Sequence, residues 1–485
     1  MNFLSTRGSR EKYSASAAII KGLADDGGLF VPEHFPKFDI SFNELKTISY
    51  PALAGKILSL FLDFTPEEIA LCVNSAYSPL GGFEADPAPL TKRGGAYFLE
   101  LFHGRTLAFK DMALSVLPYL TQISAKKHAA GKEIAVLTAT SGDTGKAALA
   151  GFAGVNGVKI IVFYPKDGVS DVQRLQMTTQ EGENAFVAAV DGNFDDAQRG
   201  VKAVFSDREL NRRLNERGII LTSANSINAG RLLPQIAYYY YAYAQMLRTG
   251  EISEGEKISF CVPTGNFGNI LAAYYAKQMG LPVDTLYCAS NSNKVLYDFF
   301  TENEYDANRE LYLTASPSMD ILVSSNVERF LFHSIGAYAA KAAMDSLAKT
   351  GKYGVKLNER ELIPCFSDEA ETFSAIKEMF DKSGFAMDTH TAVAYAGLKK
   401  VSHGEKNVIV STASAYKFAD HVVSAISGEK TRGADAINRL AELTEGKQPI
   451  PASLAGLDQK EILHKTVVGA NGIKEYVEST LTFNE

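Results

Sequence analysis

The chain has 485 residues, with 49 Lys and Arg against 56 Asp and Glu, for a formal net charge of −7. Apolar residues make up 46% and charged residues 22%, a balance that excludes a disordered or collagen-like chain. At roughly 150 residues per domain, the length allows about three domain-sized units with a large core. A mildly acidic chain is a poor match for the dense negative charge of a duplex, so no nucleic-acid partner is expected. Small anionic ligands stay open, because they feel local fields rather than net charge.

Cys72, Cys261, Cys288 and Cys365 lie far apart, with no Cys-x-x-Cys pair and no Cys/His cluster at zinc spacing. No metal is expected, and the cysteines read as buried free thiols of a reducing compartment. The N-terminus lacks a basic segment followed by an apolar one, and no run of about 20 apolar residues occurs. The expectation is therefore a cytoplasmic protein without signal peptide, transit peptide or membrane contact.

In chain order, helical segments around Ser14 to Ala24 and Phe42 to Phe64 are broken by Gly27-Gly28 and by Pro32, Pro36, Pro51 and Pro66. A Gly/Pro-rich stretch, Ser78 to Pro89, reads as the end of a small N-terminal domain. From about residue 133 short apolar runs alternate with segments of helical period. The runs are Ile134–Thr138, Lys159–Tyr164, Ala185–Val190, Ile219–Thr222, Ile258–Val262 and Thr285–Ala289. Helices are expected at Val172–Gln180, Asp195–Phe205 and Arg231–Leu247. Near the end, Asn407–Ser411 reads as a buried strand, with a helix from about Phe418; the tail after Gly446 has less clear periodicity. Strand, crossover helix and strand in succession specify a parallel α/β sheet covered on both faces.

Three small-residue segments carry chemistry. Thr138 to Lys146 (TATSGDTGK) follows a strand and opens a helix expected over Lys146–Phe152. A helix N-terminus presents unpaired N–H groups, so Ser141, Gly142, Asp143 and Thr144 suit a carboxylate or phosphate; the same residues also suit a simple capped turn. Pro263 to Asn269 (PTGNFGN) follows a second strand and precedes a helix expected over Ile270–Met279. It lacks the spacing of a P-loop or dinucleotide fingerprint, but its backbone donors suit one phosphate monoester. Lys110, in Leu107-Ala108-Phe109-Lys110-Asp111, sits among apolar residues at a helix start. Burial and the helix end both disfavour its ammonium form, and a neutral amine can form a Schiff base; a lysine snorkelling to solvent fits the same pattern. A reactive lysine, a phosphate cradle and a carboxylate cradle together are what an enzyme using pyridoxal 5′-phosphate on an amino acid needs. The tyrosine run Tyr238–Tyr241 reads as packing, His103 and His390 as structural residues, and Arg208 to Arg217 as a solvated helix face.

From about Ser5 to His421 the chain resembles the threonine synthases with a longer N-terminal domain. The resemblance rests on Ser5-Thr6-Arg7-Gly8, Gly22 to Pro32, Leu101 to Gly104 leading into Ala108 to Asp111, Ser141 to Gly145, Asn225 to Asn228 with Arg231, Pro263 to Asn269, and Pro317 to Ile321 with Ser325-Asn326 and Glu328-Arg329. It implies the two-lobed fold of the tryptophan-synthase-like pyridoxal enzymes. The expected divisions are an N-terminal domain over 1–90, a lobe over 91–250 with the lysine and carboxylate loop, and a lobe over 251–485 with the cofactor-phosphate loop. It also implies roles: Lys110 holds the cofactor covalently, Gly265, Asn266, Phe267, Gly268 and Asn269 hold its phosphate, and Thr412 partners its pyridine nitrogen. Ser141 to Thr144 take the substrate carboxylate.

The implied reaction converts O-phospho-L-homoserine and water to L-threonine and phosphate, the last step of threonine biosynthesis. Arg231 and Lys146 are candidates for the substrate phosphate by residue type alone. The sequence departs from the family at Arg105, Thr389, Ser414 and Ala415. A serine or threonine dehydratase would keep the lysine and both loops, and a degenerate binding protein is a further reading that intact Lys110 opposes. Monomer and homodimer both stay open.

Overall fold

The computed structural model describes residues 1–140, 142–167, 169–357, 362–404 and 406–482. Two mostly parallel sheets organise the chain. The five-stranded sheet runs in the order Thr466–Gly469, Ala185–Asp191, Val158–Pro165, Glu133–Ala139 and Ile219–Ser223, all parallel. The six-stranded sheet runs Leu362–Phe366, Val283–Ser290, Ile258–Pro263, Asn407–Ser411, Ala96–Glu100 and Leu90–Arg93, with only the last pair antiparallel.

The apolar runs are continuous because both sheet faces are covered. Successive strand residues point to opposite sides. Ile134, Val136, Ile160 and Val162 enter the largest core cluster, while Ala135, Leu137, Ile161 and Phe163 enter a second one. That second cluster is closed by the helices Phe194–Ser206, Arg208–Glu216 and Ile473–Thr482. In the six-stranded sheet, Phe260, Val262, Leu286 and Val408 face the largest core, and Cys261, Tyr287, Ala289 and Ile409 face a third.

Proline decides the interruptions. The expected helical stretch over 42–64 is two helices, Phe42–Thr47 and Tyr50–Ser59, and Pro51 opens the second, where no N–H is needed. The expected helix over 231–247 is a short turn Ala229–Leu232, a 3₁₀ turn Leu233–Gln235 holding Pro234, and the helix Ile236–Arg248. All four cysteines are buried and free. No helix among the described residues is long and apolar enough to cross a membrane.

The N-terminal region adds a three-stranded antiparallel sheet, ordered Tyr13–Ser14, Asn2–Ser5 and Phe30–Pro32. Its helices share the largest core through Leu53, Ile57 and Leu58. It is tied to the helix Val327–Thr350 by the Arg7–Glu328 ion pair at 3.0 Å, by Thr6 donating to Glu328 at 2.6 Å, and by Arg329 donating to the Phe30 carbonyl at 2.9 Å. Sheet membership cuts across the divisions expected at residues 91 and 250. Ala96–Glu100 pairs with Asn407–Ser411 in the six-stranded sheet, and Thr466–Gly469 pairs with Ala185–Asp191 in the five-stranded one. Pairing between strands hundreds of residues apart leaves no local trace in the chain.

Candidate active site

The two sheets point the loops after their strands at one cleft, as parallel α/β sheets do at the carboxyl ends of their strands. The cleft is lined by Phe109, Lys110, Asp143, Thr144, Arg231, Gly265 to Asn269, Ser318, His390 and Thr412, among others. A smaller recess shares Lys110, Thr144, Ser226, Asn266 and Ser318.

Lys110 caps the single helical turn Asp111–Leu114. The approach is held rigidly. The Phe109 N–H donates to the Thr412 carbonyl at 2.8 Å, and the Ser414 N–H to the Leu107 carbonyl at 3.0 Å. Leu107 adopts φ 60° to make this turn. The Asp111 carboxylate accepts from the N–H and hydroxyl of Thr106 at 2.8 and 2.6 Å. The Lys110 side chain is 13% exposed; its Nζ lies 3.4 Å from Ser318 Oγ and 4.0 Å from Asp143 Oδ2. Burial pushes the Lys110 ammonium down to about 8; Asp143 opposes the fall, and Lys417 and Arg231 add to it.

The phosphate-sized loop lies between the strand Ile258–Pro263 and the helix Gly268–Gln278, which starts two residues earlier than expected. Phe267 sits in the left-handed region at φ 64°, its ring packed among Phe300 and Phe330. The ring anchors the loop, and its backbone turns into the helix N-terminus. Gly265 has no room for a side chain: a Cβ there would stand 2.5 Å from the Ser318 carbonyl oxygen. Asn266 is clamped through its carbonyl by the Asn326 N–H and Nδ2 at 3.2 and 2.9 Å. The Asn269 Oδ1 accepts from the Tyr238 and Tyr239 hydroxyls at 2.5 and 2.6 Å, which leaves Nδ2 buried without a partner. A buried, oriented, unpaired amide donor beside a helix N-terminus fits the phosphate of pyridoxal 5′-phosphate.

The second loop differs in detail from its expectation. Its helix begins at Asp143 rather than Lys146. Thr140 Oγ1 already accepts from the N–H groups of Gly142 and Gly145, both at 2.9 Å. Gly142 is fixed at φ 133° against Gln173. Asp143 and Thr144 line the cleft, and Ser141 falls outside the described residues. Asp143 Oδ1 meets Lys417 Nζ at 2.5 Å and accepts from Gln173 Nε2 at 3.0 Å. Burial would raise this carboxyl, but Lys417 and then Lys110 outweigh it and hold it well below the usual carboxylate range.

The two anion candidates part company. Arg231 lines the cleft with its Nε buried and unpaired, and burial lowers its guanidinium to about 10. Lys146 instead donates to Gln180 Oε1 at 2.6 Å and does not line the cleft. Ser318 and His390, neither of them marked as a site residue by the sequence, also line the cleft, and Lys417 backs it through Asp143. His390 Nε2 accepts the Ser318 N–H at 3.1 Å, so its hydrogen sits on Nδ1, 3.1 Å from Asp388. Asp320 fixes the same loop by accepting from Asn291, Asn293 and Thr314. Chain order carries no hint of these meetings; only the Pro317-Ser318-Met319-Asp320 stretch stands out.

The substituted positions are all engaged. Arg105 donates to the carbonyls of Ala150 and Leu80 at 3.1 and 2.6 Å, and Thr389 donates to the Ala315 carbonyl at 2.7 Å. Ser414 accepts from the Tyr416 N–H at 3.4 Å, and Ala415 is buried. His103 stacks on Phe102 between Glu84 and Glu100, away from the cleft lining. Arg212 and Arg213 pair with Glu209, Glu216 and Glu478 on a surface helix.

A buried lysine of lowered proton affinity facing an anion-receptive glycine loop, on this two-sheet scaffold, defines a pyridoxal-phosphate-dependent enzyme. Residues 88–414 match the family model described as pyridoxal-phosphate dependent enzyme, and residues 2–77 match the threonine synthase N terminus. The chain is 36% identical over 477 residues to the threonine synthase of Pseudomonas aeruginosa, covering 94% of this chain and 97% of the relative. It is 38% identical over 456 residues to threonine synthase-like 1 of Macaca fascicularis, covering 87% of this chain but only 60% of that protein's length. The solved threonine synthase of yeast superposes with TM-score 0.87 at 32% identity, covering 99% of this chain and 98% of the other. The pyridoxal-phosphate-bound threonine synthase of Brucella melitensis gives 0.86 at 33%, with the same coverage. The chain belongs to the threonine synthase family.

Proposed function

We propose that this protein is a threonine synthase, converting O-phospho-L-homoserine and water to L-threonine and phosphate. The observation that carries the reading is Lys110, held between two anion-receptive loops with its ammonium lowered to about 8. Pyridoxal 5′-phosphate, when bound, supplies the electron sink that makes protons on the substrate's Cα and Cβ removable.

Lys110 would hold the cofactor, Gly265 to Asn269 its phosphate, and Thr412 its ring nitrogen. A hydroxyl partner such as Thr412 does not enforce protonation of that nitrogen as a carboxylate would. As its neutral amine Lys110 would take a proton at the substrate Cα, and as its ammonium it would return one. A lysine near 8 holds both forms at neutral pH. The reaction sends the phosphate away from Cγ, places the hydroxyl of water on Cβ and leaves a hydrogen on Cγ. Thr144, at the start of its helix, supports the substrate carboxylate. The unpaired Nε of Arg231 makes it the better candidate for an anionic group, and the engaged Lys146 the poorer one.

The test is phosphate release from O-phospho-L-homoserine by cofactor-loaded protein, with serine and threonine as competing substrates. Release from phosphohomoserine alone supports the reading. Deamination of serine or threonine without phosphate release replaces it with a dehydratase. Lys110→Ala should lose both turnover and the visible absorption band of the bound cofactor.

A further inference from the structure

The least expected group behind the cleft is Lys417, which touches the cleft-lining Asp143. The Lys417 side chain is 0% exposed, and its Nζ is held in an ion pair. It reaches the site from the 3₁₀ turn Ala415–Phe418, beyond the strand Asn407–Ser411 of the six-stranded sheet. Its partners are the Asp143 carboxylate at 2.5 Å and the Thr106 carbonyl at 2.9 Å. Asp143 opens the helix that follows the strand Glu133–Ala139 of the other sheet. The ion pair therefore bridges the two sheets at the wall of the cleft. Its second carboxylate oxygen faces Ser318 Oγ at 3.4 Å and Lys110 Nζ at 4.0 Å.

We propose that Lys417 is a positioning residue: through Asp143 it fixes a carboxylate beside Lys110 and so sets the proton affinity of the lysine on which the proposed reaction depends. A buried charge pair is costly to desolvate, and removing one partner leaves the other exposed to that cost. A lone carboxylate would also repel an amino-acid carboxylate bound at the neighbouring loop. Lys417 neutralises it while leaving Oδ2 directed at Lys110. The titratable groups around Lys110 are Asp143 and Lys417, Arg231 from the turn Ala229–Leu232, His390 from the helix Thr389–Val401, whose Nε2 accepts the Ser318 N–H, and Asp111 beside it. Asp111 is engaged by Thr106.

The inference rests on Lys110 being the reactive lysine, and its test is independent of turnover. The full-length chain, freed of cofactor, is acetylated competitively with acetic anhydride from pH 6 to 11, and labelling is read at Lys110 by peptide mass spectrometry. Asp143→Asn, which keeps the shape and the bond to Gln173, should move the Lys110 midpoint down by about one pH unit or more. Lys417→Met should move it up. If Lys417→Met does not fold, Lys417→Gln, which keeps a donor for the Thr106 carbonyl, should show the same sign. A merely structural role would loosen the wall in both variants and move both midpoints up, toward an ordinary lysine. An upward or absent shift in Asp143→Asn, or a downward or absent shift in Lys417→Met, overturns the proposal. Failure of the phosphate-release assay alone would overturn the assigned reaction and leave this result standing.

Discussion

Gly265 shows how one residue type is dictated by a close approach. A methyl at that position would meet the Ser318 carbonyl oxygen at 2.5 Å, and backbone atoms cannot swing aside as a side chain can. Gly265→Ala should cost about 1–3 kcal/mol in urea unfolding and weaken cofactor binding at least tenfold in a fluorescence titration. His103 gives a pH signature remote from the chemistry. Burial lowers its imidazolium, but Glu100 and Glu84 outweigh burial and raise it above its ordinary value. A raised folded-state pKa adds stability that is fully present below the unfolded value near 6.5 and lost as pH rises through the folded one. His103→Gln should therefore lose more stability at pH 5.5 than at pH 9, compared by urea midpoints; an equal loss at both would remove the ion pairs from the account.

At the scale of elements, the helix Ile236–Arg248 does more than fill space. Its tyrosines Tyr238 to Tyr241, expected as packing residues on different faces of a helix, are all buried. Two of them also donate to the side-chain oxygen of Asn269, in the loop proposed to hold the cofactor phosphate. Tyr239→Phe should cost about 1 kcal/mol, because Tyr238 still serves the amide oxygen. The double change Tyr238→Phe with Tyr239→Phe leaves that oxygen buried and unpaired. It should cost more than twice the single change and weaken cofactor affinity, read by denaturation and by titration of the absorption band.

Across the whole molecule, the C-terminal segment closes the five-stranded sheet. Leu463 and His464 donate to the Thr178 carbonyl, the strand Thr466–Gly469 covers the edge at Ala185–Asp191, and Ile473 and Val477 enter the core beneath. Ile473→Ala should destabilise the protein by about 2–5 kcal/mol. Removing residues 466–485 bares a parallel edge strand and should produce soluble aggregates by size-exclusion chromatography.

Much of this architecture was legible in the residues. The runs Ile134–Thr138, Ile258–Val262 and Asn407–Ser411 are strands because continuous β-branched and apolar residues fit a sheet buried on both faces. Lys110 and Gly265 to Asn269 stand out from local loop chemistry and Thr412 from the family resemblance alone, and all of them line the same cleft. The pairing of Ala96–Glu100 with Asn407–Ser411, the return of the tail to the other sheet, the separate fates of Arg231 and Lys146, and the Asp143–Lys417 pair were not legible there. They depend on which distant segments meet and on how much water is excluded when they do. A sequence carries residue types and periods, whereas burial, charge neighbours and proton affinity exist only after the chain has closed on itself.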